Sequence, residues 1–345
     1  MSAGGFSTST IIIVALLLLV AGCALITEQR ASTREARWEA AHPPVGRLLT
    51  VDGREVHVLE AGQPAGAAPD LVLIHGANGN LRDFTFDLID RLADDYRILA
   101  VDRPGLSWSD SWGEDDGDPR FQARVLRAAL TQLGLERPIV LGHSYGAAVA
   151  MGWALQAEDE TAALVLLGGA THPWPGGLGL WYRVNDGPLG RPARAALAGL
   201  VPESAAEGAF VSVFEPAAVP RGYVDHFGAG LSMRRASQET NARQINSLHE
   251  HVSAMVTDYQ GLTLPIEAVH GDADTIVGLA IHGERLVRDV ASARLDVIEG
   301  GGHMPHHSHP DRVIAAIARA AFRAGLATEP APAPAGEAAS EPAPE

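Results

Sequence analysis

The fold of this chain is decided by residues 138–150, which read PIVLGHSYGAAVA. An apolar run that ends at Leu141 predicts a buried strand, and the small residues that begin at Ala147 predict a helix. Ser144 lies between them, with a glycine two residues away on either side. A serine on such a sharp strand-to-helix turn projects its hydroxyl above the sheet, and the glycines avoid side-chain collisions. The segment therefore predicts that Ser144 is a nucleophile.

The rest of the chain repeats this alternation of strand and helix. Leu48–Val51 and Val56–Leu59 flank Asp52-Gly53, which predicts a two-stranded hairpin. Short, largely apolar runs, typical of strands covered on both faces, follow at Leu71–Ile74, Arg97–Val101, Ile139–Leu141, Ala163–Leu167, Ile266–Val269 and Leu295–Ile298. Helical stretches separate them at Leu81–Ala93, Phe121–Leu133 and Ala147–Gln156. The pattern predicts an α/β fold with a mostly parallel, eight-stranded sheet flanked by helices.

One interval is too long for a simple connection. About 90 residues separate the strand that ends near Leu167 from the strand that begins near Ile266, and structureless loops of that length are uncommon in compact domains. Helical stretches fill it at Arg191–Leu200, Glu203–Val213 and Arg234–Met255. We therefore expect a helical cap over residues 172–262, inserted between two parts of an α/β core at 44–171 and 263–327.

A serine nucleophile needs a base, and the base needs an orienting acid. His303 comes after the last apolar run and directly follows three glycines, which allow its imidazole to approach the serine turn. Asp272 and Asp274 follow the preceding run, and both are candidates for the acid. The three elements lie at the ends of three predicted strands, and together they predict a Ser-His-Asp triad.

From about Val45 to Gly325 the chain resembles the α/β-hydrolase family, in the branch that carries a cap domain. The motifs that carry the resemblance are His75–Asn80, similar to the oxyanion loop, Asp102–Ser109, similar to the turn after the fourth strand, Gly271–Val277, similar to the acid segment, and Gly302–Pro305, similar to the histidine segment. Ser107 stands where that turn more usually has a glycine.

The resemblance implies a catalytic triad of Ser144, His303 and Asp274, since the family's acid is the third residue after the glycine of its segment. The implied reaction is acyl transfer through a covalent intermediate, with an oxyanion hole formed by backbone N–H groups of Ala77 and Tyr145. The expected substrate is a small-molecule carboxylic ester. The same triad also serves C–C bond hydrolases, perhydrolases and acyltransferases, and a non-catalytic membrane-tethered binding module is a further hypothesis.

Residues 1–26 predict attachment to a membrane. Ile11–Ile26 contains no charged residue, and counted from Phe6 the apolar segment just reaches the ~20 residues that a spanning helix needs. Residues 20–23, VAGC, resemble a lipoprotein cleavage site that leaves Cys23 lipidated, although residues 1–10 lack the usual basic residue. The other interpretation is an uncleaved anchor helix. The arginines at 30, 34 and 37 would then favour a cytoplasmic catalytic domain.

Two further segments are polar. Residues 27–43 are expected to form a charged linker between the anchor and the core. Residues 328–345 consist almost entirely of Ala, Pro, Glu, Gly and Ser. Such a composition cannot bury enough apolar surface to fold, so a disordered tail is expected there.

The composition argues against several partners and cofactors. The formal net charge is −16 and the chain has no lysine, which argues against nucleic acid as a partner and against Schiff-base chemistry. Cys23 is the only cysteine, so an intrachain disulfide and a thiolate metal site are excluded. His303, His306, His307 and His309 are close in sequence, but no carboxylate stands at metal-ligand spacing. We therefore expect no cofactor and no bound metal, and the oligomeric state stays open.

Overall fold

The predicted α/β architecture is confirmed in a computed structural model that describes residues 7–177, 179–202 and 204–328. The strands are β1 Arg47–Val51, β2 Arg54–Gly62, β3 Asp70–Ile74, β4 Arg97–Val101, β5 Ile139–His143, β6 Ala163–Leu167, β7 Ile266–Gly271 and β8 Ala293–Ile298. The helices are α1 Thr8–Ala41, α2 Arg82–Thr85, α3 Leu88–Leu92, α4 Pro119–Thr131, α5 Tyr145–Ala157, α6 Leu180–Asn185, α7 Gly190–Leu200, α8 Ser204–Phe214, α9 Tyr223–Phe227, α10 Ala229–Met233, α11 Arg235–Met255, α12 Gly283–Asp289, α13 Pro305–Ser308 and α14 Pro310–Arg323. The tail expected at 328–345 lies, apart from Thr328, outside the described residues.

The eight strands form one sheet in the order β1-β2-β4-β3-β5-β6-β7-β8. β2 pairs antiparallel with β1 and β4, and the other neighbours are parallel. The predicted hairpin turns at Asp52-Gly53, where both residues have the left-handed backbone (φ 51° and 77°) that a type I′ turn requires. Because the parallel strands run in one direction, the loops that follow β3, β5, β7 and β8 meet at the same edge of the sheet.

Helices cover both faces of the sheet. On one face α5 packs closely through small residues such as Ala147, Ala150 and Ala154, all fully buried. On the other face α3 and α14 contribute apolar side chains such as Leu88 and Ile317. Every residue of the central strands β3, β5 and β6 is buried. This two-sided burial is the physical reason for the unbroken apolar runs in the sequence.

The helix expected at Leu81–Ala93 is divided into two short helices, α2 and α3. Asp87, between them, has a φ of −154° and a ψ of −43°, a combination that is not helical. The ring of Phe86 contacts those of Tyr223 and His307 edge-on, at centroid distances of 5.3 and 5.9 Å. A tertiary contact with distant parts of the chain therefore accompanies the break, and the local sequence pattern does not reveal it.

In the described parts of the interval between β6 and β7 there are six α-helices, α6 to α11. Three of them, α7, α8 and α11, coincide with the predicted helical stretches to within one residue at each end. The short helices α6, α9 and α10 were not predicted. The insertion packs on the loop edge of the sheet, where α11 contacts the short turn at 113–117.

The prediction of a linker over residues 27–43 is wrong, because α1 continues without a break to Ala41. One side of this half of α1 is buried against the insertion, with Ala31 0% and Trp38 4% exposed. Gly230 in α10 leaves the space that the Trp38 ring fills, since a Cβ there would lie 2.2 Å from the ring. The charged residues that suggested a linker belong to one side of a docked helix.

Ion pairs fasten the same half of α1 to α11. Glu35 accepts hydrogen bonds from the Arg235 guanidinium at 3.0 and 2.7 Å, and Glu28 pairs with the same arginine. Glu39 accepts a bond from Arg234 at 2.9 Å. Three carboxylates of α1 are therefore paired with two neighbouring arginines of the insertion.

The first half of α1 is exposed along its whole length. An 18-residue window of it has a mean hydropathy of 2.9, with none of the window buried. At 1.5 Å per residue, the helix from Thr8 to Ile26 is about 28 Å long, close to the ~30 Å hydrocarbon core of a bilayer. This helix is long and apolar enough to cross a membrane.

Replacing Trp38 with alanine should loosen α1 from the insertion, because a tryptophan-sized cavity costs about 3–5 kcal/mol. We expect a lower midpoint of thermal unfolding and faster proteolysis within residues 27–41, measured on the full chain in detergent. Trp181→Ala is the matched control, since that tryptophan is 36% exposed. Equal effects of the two substitutions would contradict the docking of α1 through Trp38.

Candidate active site

Ser144 occupies the turn between β5 and α5 in a strained backbone conformation. Its φ of 52° and ψ of −115° lie outside the regions that residues with a side chain ordinarily adopt. Its N–H donates to the Leu167 carbonyl at 2.9 Å, and its own carbonyl accepts the Ala170 N–H at 3.1 Å. Both bonds fasten the turn to the end of β6 and so stabilise the strained conformation.

Close backbone contacts explain the glycines on either side of Ser144. A Cβ on Gly142 would lie 2.3 Å from the carbonyl oxygen of Gly146, and a Cβ on Gly146 would lie 2.2 Å from that of Ile74. These neighbours are backbone atoms of the sheet and of the turn, so they cannot move aside as a flexible side chain could. Only glycine fits at either position.

The structure brings Asp274 and His303 together. Asp274 lies in the loop after β7 and accepts a hydrogen bond from His303 Nδ1 at 2.7 Å. Its other oxygen accepts the N–H groups of Ile276 and Val277, both at 2.9 Å. Burial opposes ionisation of this carboxyl, but bonds from His270, His303 and the backbone outweigh it and hold the pKa of Asp274 below its ordinary value. An ionised Asp274 fixes the His303 tautomer with Nε2 free of a proton.

Asp272, the other candidate acid, points elsewhere. Its side chain is exposed and accepts the backbone N–H of Gly300 at 2.7 Å. It therefore braces the glycine loop that leads to His303 and does not contact the imidazole. The residue pattern alone could not distinguish the two aspartates, and in the structure only Asp274 contacts the imidazole.

Gly168, which follows β6, was not singled out from the sequence. Its φ is 48°, and a Cβ there would lie 3.2 Å from His303 Nδ1 and 3.3 Å from the Asp274 carboxylate. The residue therefore leaves room for the Asp274–His303 pair. A glycine directly after the apolar run 163–167 was the signal that could have identified it.

Ala77 and Tyr145, predicted to supply oxyanion N–H groups, flank Ser144. Tyr145 is the first residue of α5, so its N–H has no acceptor within the helix. Ala77 lies in the loop after β3 and lines the same cavity as Ser144. A Cβ on the neighbouring Gly76 would lie 3.1 Å from the Ser144 Cβ, so this loop passes directly beside the serine.

Side chains of the insertion form hydrogen bonds with the loop that contains Ala77. The N–H of Asn78 donates to Asn241 Oδ1 at 2.7 Å, and the Asn78 carbonyl accepts the Ser232 hydroxyl at 2.6 Å. Gln238 donates to the Asn78 side chain at 3.1 Å. Asn78 itself has a left-handed backbone (φ 51°). These three partners were missed by the sequence, because polar residues on a helix give no sign of a distant loop.

His75 and Arg103, which belong to the α/β core, form hydrogen bonds with the backbone of the same loop. His75 Nε2 accepts the Arg103 N–H at 3.0 Å, and the Arg103 guanidinium donates to the carbonyls of His75 and Gly76 at 3.0 and 2.9 Å. Burial, and then the charge of Arg103, lower the pKa of His75 to about 4. His75 is therefore a neutral acceptor at pH 7.

The cavity beside Ser144 has a volume of about 550 Å³. Its lining is mostly apolar and comes from core and insertion alike, including Leu197, Val201, Phe210, Val213, Phe227, Met233 and Met304. Ser144 and His303 both line it. Among the described residues that line this cavity there is no arginine, and Asp83 is the only acidic one.

Asp83 forms a buried polar cluster at one side of the cavity. One oxygen accepts bonds from the Tyr223 hydroxyl at 2.6 Å and from His307 Nε2 at 2.7 Å, and the other accepts His306 Nε2 at 3.0 Å. Burial alone would raise the pKa of Asp83, but His306 and His307 outweigh it and hold that pKa well below the ordinary value. His143 completes the cluster, since its ring lies 4.7 Å from that of His306. The sequence spacing did not show a carboxylate near these histidines because Asp83 comes from the distant helix α2.

A sequence model of the α/β-hydrolase fold matches residues 69–310. The chain belongs to the α/β-hydrolase fold family. A 2-hydroxy-6-oxononadienedioate/2-hydroxy-6-oxononatrienedioate hydrolase of Cupriavidus pinatubonensis is 26% identical over 275 residues, covering 76% of this chain and 90% of its own. An uncharacterised protein of Mycobacterium tuberculosis is 25% identical over 316 residues, covering 85% of each chain. The first of these two relatives is thus itself a hydrolase.

Solved structures of family members share the fold of this α/β hydrolase. A bacterial membrane phospholipase A superimposes with a TM-score of 0.63 at 19% identity, covering 93% of this chain and 99% of its own. An esterase from Rhodococcus sp. superimposes with a TM-score of 0.62 at 24% identity, covering 82% and 100%. At these identities the superpositions show a common fold.

The neutral His75 should make the hydrolase sensitive to acid. A group whose pKa falls on folding, here from 6.5 to about 4, contributes stability that is complete above pH 6.5 and is lost as the pH falls toward 4. The full effect is roughly 3 kcal/mol for such a shift. We expect His75→Gln to flatten the fall of unfolding free energy between pH 6.5 and 4, measured by denaturant titration. His249→Gln, at an exposed histidine of α11, is the control, and an equal flattening there would contradict the role of His75.

Proposed function

We propose that this α/β hydrolase is a serine hydrolase that cleaves a carboxylic ester through Ser144, His303 and Asp274. One observation carries the proposal: Asp274 binds His303 Nδ1 at 2.7 Å, and His303 and Ser144 line the same cavity. A serine on a strained turn, a base with a free Nε2 and an acid that orients the base are the parts that acyl transfer requires.

In the proposed mechanism the Ser144 hydroxyl attacks the ester carbonyl while His303 Nε2 takes its proton. Asp274 stabilises the imidazolium that forms, and His303 then protonates the departing alcohol. The N–H groups of Ala77 and Tyr145 bind the oxyanion, and the loss of one such donor typically costs ~10²–10³ in rate. Water, activated by His303, releases the acid and restores Ser144.

The lining of the cavity favours a neutral ester with an apolar acyl chain. Aliphatic and aromatic side chains surround Ser144, and the ionised Asp83 stands at one side. A carboxylate on the substrate would be desolvated next to this like charge, and the described lining residues include no arginine to neutralise it, which is unfavourable in a site of low dielectric.

The exposed apolar half of α1 supports a location of this cavity beside a membrane. We propose that residues 1–26 attach the chain to a bilayer, either as an uncleaved helix or through a lipidated Cys23, and the docked half of α1 is kept in both cases. Gly199 in α7 lies against the Thr27 carbonyl, just after the apolar segment, while Leu197 and Val201 of the same region line the cavity. Esters of membrane lipids, as in the membrane phospholipase A of similar fold, are therefore among the substrates to test.

A C–C bond hydrolase is the second candidate, because the relative from Cupriavidus pinatubonensis is named as one that acts on dienedioates. Dioates carry two carboxylates. The absence of arginine among the described lining residues, together with Asp83, argues against such a substrate here.

Labelling by a fluorophosphonate tests the proposed triad. Ser144→Ala should abolish both the label and the turnover of p-nitrophenyl butyrate, and Asp274→Asn should lower kcat by about 10⁴-fold because the imidazole loses its orienting partner. Asp272→Asn is the matched control, with a kcat within a few-fold of the wild type. Labelling of the Ser144→Ala protein would refute the nucleophile, and a loss in Asp272→Asn equal to that in Asp274→Asn would refute the acid. A wild-type protein that takes no label would support the non-catalytic binding module instead.

A pair of esters of equal length tests the charge preference. We expect kcat/KM for p-nitrophenyl hexanoate to exceed that for the mono-p-nitrophenyl ester of adipic acid by about 100-fold, because the second ester places a carboxylate in the Asp83 cavity. The substitution Asp83→Asn should reduce the ratio of the two kcat/KM values. Preferred turnover of the anionic ester, together with cleavage of a dienedioate, would favour the C–C hydrolase.

A further inference from the structure

The histidines around Asp83 have more nitrogen atoms than hydrogen-bond partners. His143 Nδ1 and His306 Nδ1 are buried and have no hydrogen-bond partner among the described residues. His143 is 4% exposed and His306 is fully buried. Buried nitrogens of this kind are rare in folded proteins, and each one calls for an explanation, of which a bound ion is one.

These histidines and Asp83 present their donor atoms to one point. A carboxylate oxygen of Asp83 and one ring nitrogen each from His143 and His306 lie within 4.8 Å of one another, and all three residues are buried. Because His143 Nε2 donates to the His303 carbonyl at 2.9 Å, the lone pair of His143 is on Nδ1. From this arrangement we infer that Asp83, His143 and His306 form a binding site for a transition-metal dication of the zinc type.

The donor set selects the class of ion. Two imidazoles and one carboxylate suit Zn²⁺, Co²⁺ or Ni²⁺, whereas Ca²⁺ and Mg²⁺ prefer sites made of oxygen. Three protein ligands are the number found in zinc sites that keep one position open. Asp83 and His143 line the cavity, so an ion can enter from it.

The ligand atoms lie within 4.8 Å of one another and adjust their spacing when an ion binds. His306 Nε2 and the Asp83 oxygen are 3.0 Å apart, and a tetrahedral ion with ligand bonds of about 2.1 Å holds neighbouring ligand atoms roughly 3.4 Å apart. The His306 proton moves from Nε2 to the unpartnered Nδ1, so no proton is lost. Tyr223 and His307 keep their bonds to the other Asp83 oxygen and fix its orientation, as outer partners do in metal sites.

An ion at this site would stand next to the proposed base. The His143 ring lies 4.9 Å from the His303 ring, so a dication bound by His143 disfavours the imidazolium that His303 forms during acyl transfer. Zinc binding should therefore inhibit the hydrolase. This consequence rests on the proposed function, whereas the binding site itself does not.

Zinc binding to the metal-free full chain in detergent tests the site directly, with ZnCl₂ as the probe in isothermal titration. We expect one equivalent to bind at micromolar or lower concentration, and Asp83→Asn and His306→Gln each to weaken binding by at least about 100-fold, as loss of a ligand exceeds the 10–100-fold effect of outer partners. His249→Gln, at an exposed histidine, should bind as the wild type does. Absence of binding by the wild type, or equal binding by all folded variants, would overturn the proposal.

A measurement without substitutions covers the case in which the variants do not fold. Anomalous scattering at the zinc edge, from crystals of the wild-type protein grown with ZnCl₂, should show a peak between Asp83, His143 and His306. A zinc peak only at surface histidines would overturn the site.

Activity measurements then separate the proposed zinc site from the proposed ester hydrolysis. The zinc concentration that half-inhibits ester turnover should equal the dissociation constant from the titration. EDTA should reverse the inhibition. Binding without inhibition would leave the site in place and refute its effect on His303, and a protein that binds zinc but hydrolyses no ester would refute only the proposed function.

Discussion

The backbone turn at Ser144 is the constraint on which the active site depends. The serine adopts a positive-φ conformation that costs on the order of 1–3 kcal/mol, and it is held there by bonds to Leu167 and Ala170 at the end of β6. Gly142 and Gly146 allow the strand and the helix to approach to backbone contact. Tight packing of β5, β6 and α5 therefore maintains the strain, and the hydroxyl is presented at the edge where the other loops meet.

A continuous set of contacts links that turn to the N-terminal helix. The loop that contains Ala77 passes beside Ser144, and its neighbour Asn78 is bonded to Asn241 and Ser232 of the insertion. The helices that carry those side chains, α10 and α11, are themselves fixed to α1 through Trp38 and Arg235. Displacement of the insertion relative to the core would therefore alter the oxyanion loop as well as the cavity. An anchor in the membrane would restrict the part of the molecule that shapes the substrate pocket.

The strands and the serine turn could be predicted because their signals are local. Six strands follow from short apolar runs, and the first two follow from the hairpin signal at Asp52-Gly53. Together with the glycine-flanked serine they give the fold class, and all of these are short-range consequences of burial and backbone conformation. The Asp274–His303 pair required the family resemblance, since Asp272 offers the same chemistry two residues earlier. Only the bond of Asp272 to Gly300 shows that it serves the loop.

What the sequence did not predict arises from contacts between distant segments. The polar stretch 27–43 has a linker-like composition, yet one side of it fits the insertion through Ala31 and Trp38. The Asp83 cluster joins α2, α9 and α13, which lie far apart in the chain. Such contacts produce no periodic pattern in the sequence, because each element contributes only one or two residues to them.

His303 is fixed from two directions by two buried carboxylates. Asp274 binds its ring, and Asp83 binds the turn that follows it through His306 and His307. Both carboxyls have pKa values below the ordinary range, so both stay ionised in spite of burial. The two charges act differently on the site: Asp274 touches the imidazole and stabilises its protonated form, whereas Asp83 accepts bonds from Tyr223, His306 and His307 and faces the cavity. The position of the proposed base and the proposed charge preference of the pocket therefore both depend on Asp83, and a dication bound there would change both at once.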